Sequence, residues 1–173
     1  MSSTLKVGDQ IEVDIGPIAN GGHFVARHNG QVIFVRHAIE GERALVEITS
    51  ISSKLARGDA ISILKKSPDR VENPCKYSGP GKCGGCDFLH INFIEQVKYK
   101  EQVVRELFNR IAKMEIDFSI QQVDPKTGHH WRNRVEFAIS KQGHIGFFGA
   151  RSNEIIEISE CLALVKPINQ LDI

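Results

Sequence analysis

No stretch of this chain is apolar for long enough to cross a bilayer, which takes about 20 residues. Met1-Ser2-Ser3-Thr4-Leu5-Lys6 lacks the apolar segment of a secretory signal, so a cytoplasmic location without membrane contact is expected. Excess charge of one sign is missing too. The 22 Lys and Arg against 21 Asp and Glu leave a net charge of +1, so nucleic-acid binding would have to rest on local patches. Internal repeats and low-complexity tracts are absent, which excludes a solenoid. Only four cysteines occur, and without a secretory signal a disulfide framework is disfavoured. What remains is ordinary globular material: 173 residues, 41% apolar and 25% charged, enough for one large domain or two small ones with a real core.

The first 67 residues read as short strands. Ile11, Val13 and Ile15 alternate with Glu12 and Asp14, the pattern of a half-buried strand. Gly16-Pro17 and Asn20-Gly21-Gly22 are turn signals. The runs 23–27 and 32–36 flank Asn29-Gly30, the strongest short-range hairpin signal. Strands at 44–48 and 60–64 make five, which suggests a small OB-like barrel. Such barrels often bind oligonucleotides through basic and aromatic side chains. Arg27, Arg36, Arg43, Lys54 and Arg57, with His23, His28 and His37, are the basic candidates for phosphate contact, although a solvated polar face explains any single one of them. Phe24 and Phe34 could stack on bases, but their apolar neighbours favour core packing.

Cys75, Cys83 and Cys86 are clustered, and Cys161 lies alone. Seven residues separate the first pair, two the second, and 74 precede the fourth. Three clustered thiols with one distant thiol suit an iron–sulfur cluster held by four thiolates. Structural zinc sites more often use two short-spaced pairs, but Cys75, Cys83, Cys86 and His90 could also bind zinc, leaving Cys161 idle. Gly84 and Gly85 would let the backbone wrap tightly enough to aim amide N–H groups at sulfur.

Residues 65–70 read as a linker. Beyond the cysteine loop a helix should start at Asn92, with Glu95 as partner in a capping box. Ile94, Val97, Val104, Leu107, Phe108 and Ile111 make its apolar stripe, and Lys98, Lys100, Arg105 and Arg110 lie mostly off it. Val135, Phe137 and Ile139 then alternate as a strand, followed by returns at 144–148 and 154–158 that lead to Cys161. A small antiparallel sheet packed on one long helix is expected. Arg132 and Arg134, at i and i+2, would share a strand face and suit phosphate or base edges, or else pair with Glu136 or Glu154. His129-His130, after Thr127-Gly128, reads as solvated.

Taken together, these pieces resemble the S-adenosylmethionine-dependent RNA uracil-C5 methyltransferases. The matching segments are Gly21-Gly22-His23-Phe24-Val25-Ala26-Arg27, Val32-Ile33-Phe34-Val35 and Gly41-Glu42-Arg43, then Cys83-Gly84-Gly85-Cys86-Asp87 and Trp131-Arg132-Asn133-Arg134-Val135. Gly146-Phe147-Phe148 and Glu154-Ile155-Ile156 through to Cys161 complete the set, which covers nearly the whole chain. The resemblance implies a β-rich α+β chain. Residues 1–67 would be a TRAM domain, the five-stranded OB-like RNA-binding barrel, and residues 68–173 a central [4Fe–4S] domain. It implies Cys75, Cys83, Cys86 and Cys161 as the cluster ligands and rRNA or tRNA as the partner, for which the residues themselves offer Arg27, Arg36, Arg43, Arg132 and Arg134 as contacts. The gap from Cys75 to Cys83 is longer than in the best-known members, and Gly79-Pro80-Gly81 could absorb it as a looped turn.

The family's catalytic half, with its S-adenosylmethionine site, cysteine nucleophile and carboxylate base, is not expected within this sequence. No glycine-rich turn after a parallel strand is present, and all four cysteines are implied as cluster ligands. The expectation is a fragment, a truncated product or one piece of a split enzyme with a separate catalytic chain, without methylating activity of its own. The rival readings are a stand-alone RNA-binding module with structural zinc and a small electron carrier. Ferredoxin-type carriers pack more cysteines into short repeats and have no need of a barrel.

Overall fold

A computed structural model describes residues 5–52, 55–121 and 128–171. Five strands close into a barrel: β1 (Gln10–Ala19), β2 (His23–His28), β3 (Gln31–Arg36), β4 (Arg43–Ile51) and β5 (Ala56–Lys65). The order around the barrel is β1-β2-β3-β5-β4, with β4 returning to β1 and a parallel β3–β5 pair. The expected Asn-Gly hairpin forms. Asn29 and Gly30 both take positive φ (49° and 81°), the conformation that lets a two-residue turn follow the strand twist. Phe24, Ile33, Val35, Val46 and Ile48 fill the barrel.

Gly16-Pro17 is not a turn. β1 runs through it with a register shift between Ile15 and Ile18, and a bulge is where a strand tolerates proline. The 65–70 segment is also more than a linker, because Glu42 pins it. The Glu42 carboxylate, 1% exposed, accepts from the amides of Ile39 (2.9 Å) and Ser67 (3.1 Å) and from Arg70 Nε (2.6 Å) and Nη2 (2.7 Å). Arg70 Nη2 donates as well to the carbonyl of His37.

Helix α1 (Phe93–Leu107) starts where expected, with Asn92 Oδ1 accepting from the amide of Ile94 (3.0 Å). The capping-box partner does not form, because Glu95 pairs with Lys98 (2.7 Å). The face turned to the barrel also differs from the expected stripe. Tyr99 is the buried helix residue, its ring edge-on to Phe24 and its hydroxyl donating to Asp69 (2.9 Å), while Ile94, Phe108 and Ile111 are exposed. A π-helical turn (Phe108–Ala112) ends the helix.

The second sheet has three short antiparallel strands, β6 (Ala138–Ile139), β7 (Ile145–Phe148) and β8 (Ile155–Glu157). A Cβ on Gly146 would lie 2.4 Å from the carbonyl oxygen of Ile156, so only glycine allows the β7–β8 approach. The strand expected from Val135 is confined to Ala138–Ile139. Residues 133–137 form no strand, so Arg132 and Arg134 do not share a strand face. Instead residues 130–132 run beside 162–165, with Arg132 bridged to Leu164. A final short helix α2 (Lys166–Asn169) follows. Among the described residues no helix is long and apolar enough to cross a membrane.

Candidate metal centre and nucleic-acid surface

All four cysteines are free thiols, and they line one cavity of about 330 Å³. Three elements bring them together. The loop carrying Cys75, Cys83 and Cys86 is laid against the turn after β7: the amide of Gly84 donates to Phe148 O (3.1 Å) and that of Ala150 to Lys82 O (3.1 Å). A Cβ on Gly84 would stand 2.9 Å from the Cα of Ala150, so the loop can lie this close only as glycine. The Gly85 amide donates to Cys83 Sγ at 3.4 Å, the amide-to-sulfur contact expected from the two glycines.

Cys161 is held from two sides. Asn169 of α2 accepts from the Cys161 amide and donates to its carbonyl, both at 2.9 Å. Tyr77, in the cysteine loop, shares a 2.9 Å hydroxyl bond with Ser159 and accepts from the Ser159 amide. His130 is not simply solvated: its Nδ1–H donates to Leu164 O (2.9 Å), fixing the strip after Cys161. Tyr77 and Asn169 escaped the sequence reading because their roles depend on contacts 82 and eight residues away that no local pattern encodes.

Burial pushes the Cys86 thiol up to about 11, and the Cys161, Cys83 and Cys75 sulfurs push the same way, with Arg132 opposing. Burial also raises Cys83. Cys83 and Cys86, two thiols that resist ionising beside other sulfurs, would release their protons more readily to a positively charged centre. Among the described residues no group of three or more His, Cys, Asp or Glu side chains is placed to hold a metal ion. His90 is not near the cavity either. It is buried against the barrel, with Nε2 bonded to Ala38 O (3.1 Å), and burial lowers its pKa to about 4. The donor set, four free thiols lining one cavity with a glycine amide aimed at one sulfur, is of a kind that ligates metal centres.

The arginine candidates fall in different places. Arg36 is 9% exposed and reaches Asp87, the residue after Cys86, through Nη2 (2.8 Å) and Nε (3.2 Å). It ties β3 to the cysteine loop. Arg27 and Arg134 are exposed, and Arg43 is exposed but pairs with Glu12 (3.2 Å) and Asp14 (3.9 Å). Arg132 lines the thiol cavity and lies 5.1 Å over the ring of Trp131. His37 is buried and pushed down to about 3 by burial, Arg36, His90 and Arg70, so it is neutral and no phosphate contact. Phe24 is core, Phe34 is half-buried, and Lys54 and Thr127 lie outside the described residues. Lys98 on α1 and Arg110 in the π-helical turn are in ion pairs, and Arg105 bonds the carbonyls of Ile116 and Phe118.

The TRAM domain family matches residues 4–61. An uncharacterized RNA methyltransferase of Streptomyces avermitilis is 39% identical over 96% of this chain and 42% of its own length. The 23S rRNA (uracil(1939)-C(5))-methyltransferase RlmD of Vibrio parahaemolyticus is 32% identical over 92% of this chain and 36% of its own. Among solved structures, the tRNA (uracil-54, C5)-methyltransferase of Pyrococcus abyssi, in complex with S-adenosyl-L-homocysteine, superposes with a TM-score of 0.56. It is 26% identical, over 91% of this chain and 34% of that one. The chain thus spans about two fifths of the length of the curated relatives it matches.

Proposed function

Because the chain belongs to the RNA uracil-C5 methyltransferase family, we propose that it is the RNA-docking and cluster-bearing part of an S-adenosylmethionine-dependent enzyme that methylates a uracil of rRNA or tRNA. Residues 1–67 dock the RNA, and residues 68–173 hold a [4Fe–4S] cluster through Cys75, Cys83, Cys86 and Cys161. The observation that carries this is the convergence of four free thiols from distant parts of the sequence on one cavity, joined to the barrel by Arg36 and Asp87.

Such a cluster supplies a rigid cross-link, and methyl transfer itself requires no electron from it. The chain's own residues do the positioning. Asn169 and Tyr77 hold the Cys161 strip, the Gly85 amide faces Cys83, and Arg36 fixes the barrel's β3 against Asp87. Exposed Arg27 and Arg134, with Arg43 at the barrel end of β4, supply cations for phosphate. Arg132, stacked on the exposed Trp131, offers a guanidinium and an indole face to an unstacked base.

Metal analysis with an absorption spectrum on anaerobically purified protein tests the cluster. About four irons per chain and a broad brown absorption that bleaches in air are expected, both lost in Cys161→Ala. One zinc and no visible absorption would instead establish the stand-alone zinc module. RNA titrated at several salt concentrations tests the other half, and no binding at low salt would sink it.

A further inference from the structure

A second cavity, of about 180 Å³, opens at the seam between the barrel and the turn after β7. His23 and Phe34 line it from β2 and β3, Arg57 and Asp59 from β5, and Arg151 from the turn. The hydroxyl-bearing Thr49 and Ser50 complete the rim.

The charges here are poorly satisfied. Arg36 also reaches this cavity, but Asp87 neutralises it. Arg57 Nε is buried without a hydrogen-bond partner, an expensive state for a guanidinium N–H. Among the described residues neither Arg57 nor Arg151 has a carboxylate within ion-pair distance. Arg151 Nη2 instead donates to Nε2 of His23 (3.1 Å). That bond needs a neutral imidazole with its lone pair on Nε2. Burial, then Arg151 itself, holds His23 below its usual value, which keeps it in that form. His23 therefore aims the Arg151 fork and adds no charge. Burial and the Arg57 and Arg36 charges also push the Arg151 guanidinium down. Asp59 opposes an anion, and burial raises its pKa. The balance facing the cavity is two unpaired guanidinium groups against one carboxylate.

We propose that Arg57 and Arg151 form a phosphate-binding notch at this seam. Two arginine forks beside hydroxyl groups suit a tetrahedral acceptor with several oxygens, and a phosphate oxygen gives Arg57 Nε the acceptor it lacks. The phosphate is a backbone phosphate of bound RNA; that assignment rests on the RNA-binding reading above, whereas the notch itself does not.

Two titrations of the full chain test it. In the first, inorganic phosphate is added while the Arg57 Nε–H resonance is followed by NMR. A saturable shift is expected, and Arg151→Gln should weaken it. In the second, a short single-stranded RNA is titrated at several salt concentrations. Arg57→Gln and Arg151→Gln should each flatten the slope of log K against log salt by about 1, and Asp59→Asn should tighten binding. Arg151 is exposed, so its variant keeps the test alive if Arg57→Gln fails to fold. RNA binding with an unchanged slope in Arg151→Gln, together with no phosphate shift, overturns the notch and leaves RNA recognition standing. No RNA binding by the unaltered chain, with a saturable phosphate shift, sinks the RNA reading and makes the notch a site for free phosphate.

Discussion

Glu42→Gln keeps the shape of the side chain and removes the charge that Arg70 faces. With Arg70 mostly buried and left without its counter-ion, the chain should lose about 3 kcal/mol, read as a lower denaturant midpoint with an unchanged slope. Protonation gives a second test at this scale. His37 and His90 sit near 3 and 4 when folded, against 6.5 for an ordinary imidazole, chiefly through burial. Their folded pKa values are depressed, so the unfolded chain takes up protons first as pH falls. The stability they contribute is complete above pH 6.5 and is lost as pH drops through the window toward 4 and 3. Between pH 7 and 5 the loss should be on the order of 1–2 kcal/mol for each histidine. Denaturant midpoints across that range should fall, and His90→Gln should flatten the dependence. None of this was legible in the sequence, where His37 read as a cation and Glu42 only as part of the Gly41-Glu42-Arg43 segment of the resemblance. Burial decides both roles, and burial is set by the closed barrel.

At the scale of elements, alternation and turn chemistry located all five barrel strands, because each strand's pattern and its Asn-Gly or Gly-Gly punctuation are local. Gly16-Pro17 misled, since a bulge and a turn use the same residues. Helix α1 was found from its cap but its inner face was not. Counting apolar residues favours Ile94, Phe108 and Ile111, whereas the barrel takes Tyr99, whose ring packs and whose hydroxyl still finds Asp69. Tyr99→Phe should therefore cost about 1 kcal/mol while leaving helix content by circular dichroism unchanged. The strand expected from Val135 shrank because the preceding residues pair with 162–165 instead, a contact across 32 residues that period-two counting cannot register. Gly146→Ala should disrupt the β7–β8 pair outright, seen as lost amide protection in that sheet but not in the barrel.

On the scale of the whole molecule, an ion pair and an aromatic contact join the barrel to the cysteine loop. Arg36 reaches Asp87, and a Cβ on Gly22 would touch the Phe88 ring at 3.2 Å. Asp87 follows Cys86 directly, so order in the thiol cavity passes to β3 through one ion pair. If the proposed cluster is bound only by the folded chain, its binding free energy adds to folding. Removing it should lower the unfolding temperature by several degrees, and the barrel's share of that shift should shrink in Arg36→Gln. Spacing suggested that the four thiols belong together but left a set of three with His90 open, and the means of bringing Cys161 to the shared cavity were not legible. They depend on Asn169, Tyr77 and the paired strip at 130–132, each meaningful only once the chain has folded back.

That late return has a consequence in time. Chains emerge from the ribosome at about 5–20 residues per second, so Cys75, Cys83 and Cys86 are exposed roughly 4–15 s before Cys161 appears. Asn169, which clasps it, comes later still. A nascent chain thus carries three thiols and the whole barrel sequence through a period when the proposed fourth ligand does not yet exist. Assembly of the proposed centre would either wait for residue 161 or begin with an outside ligand in its place.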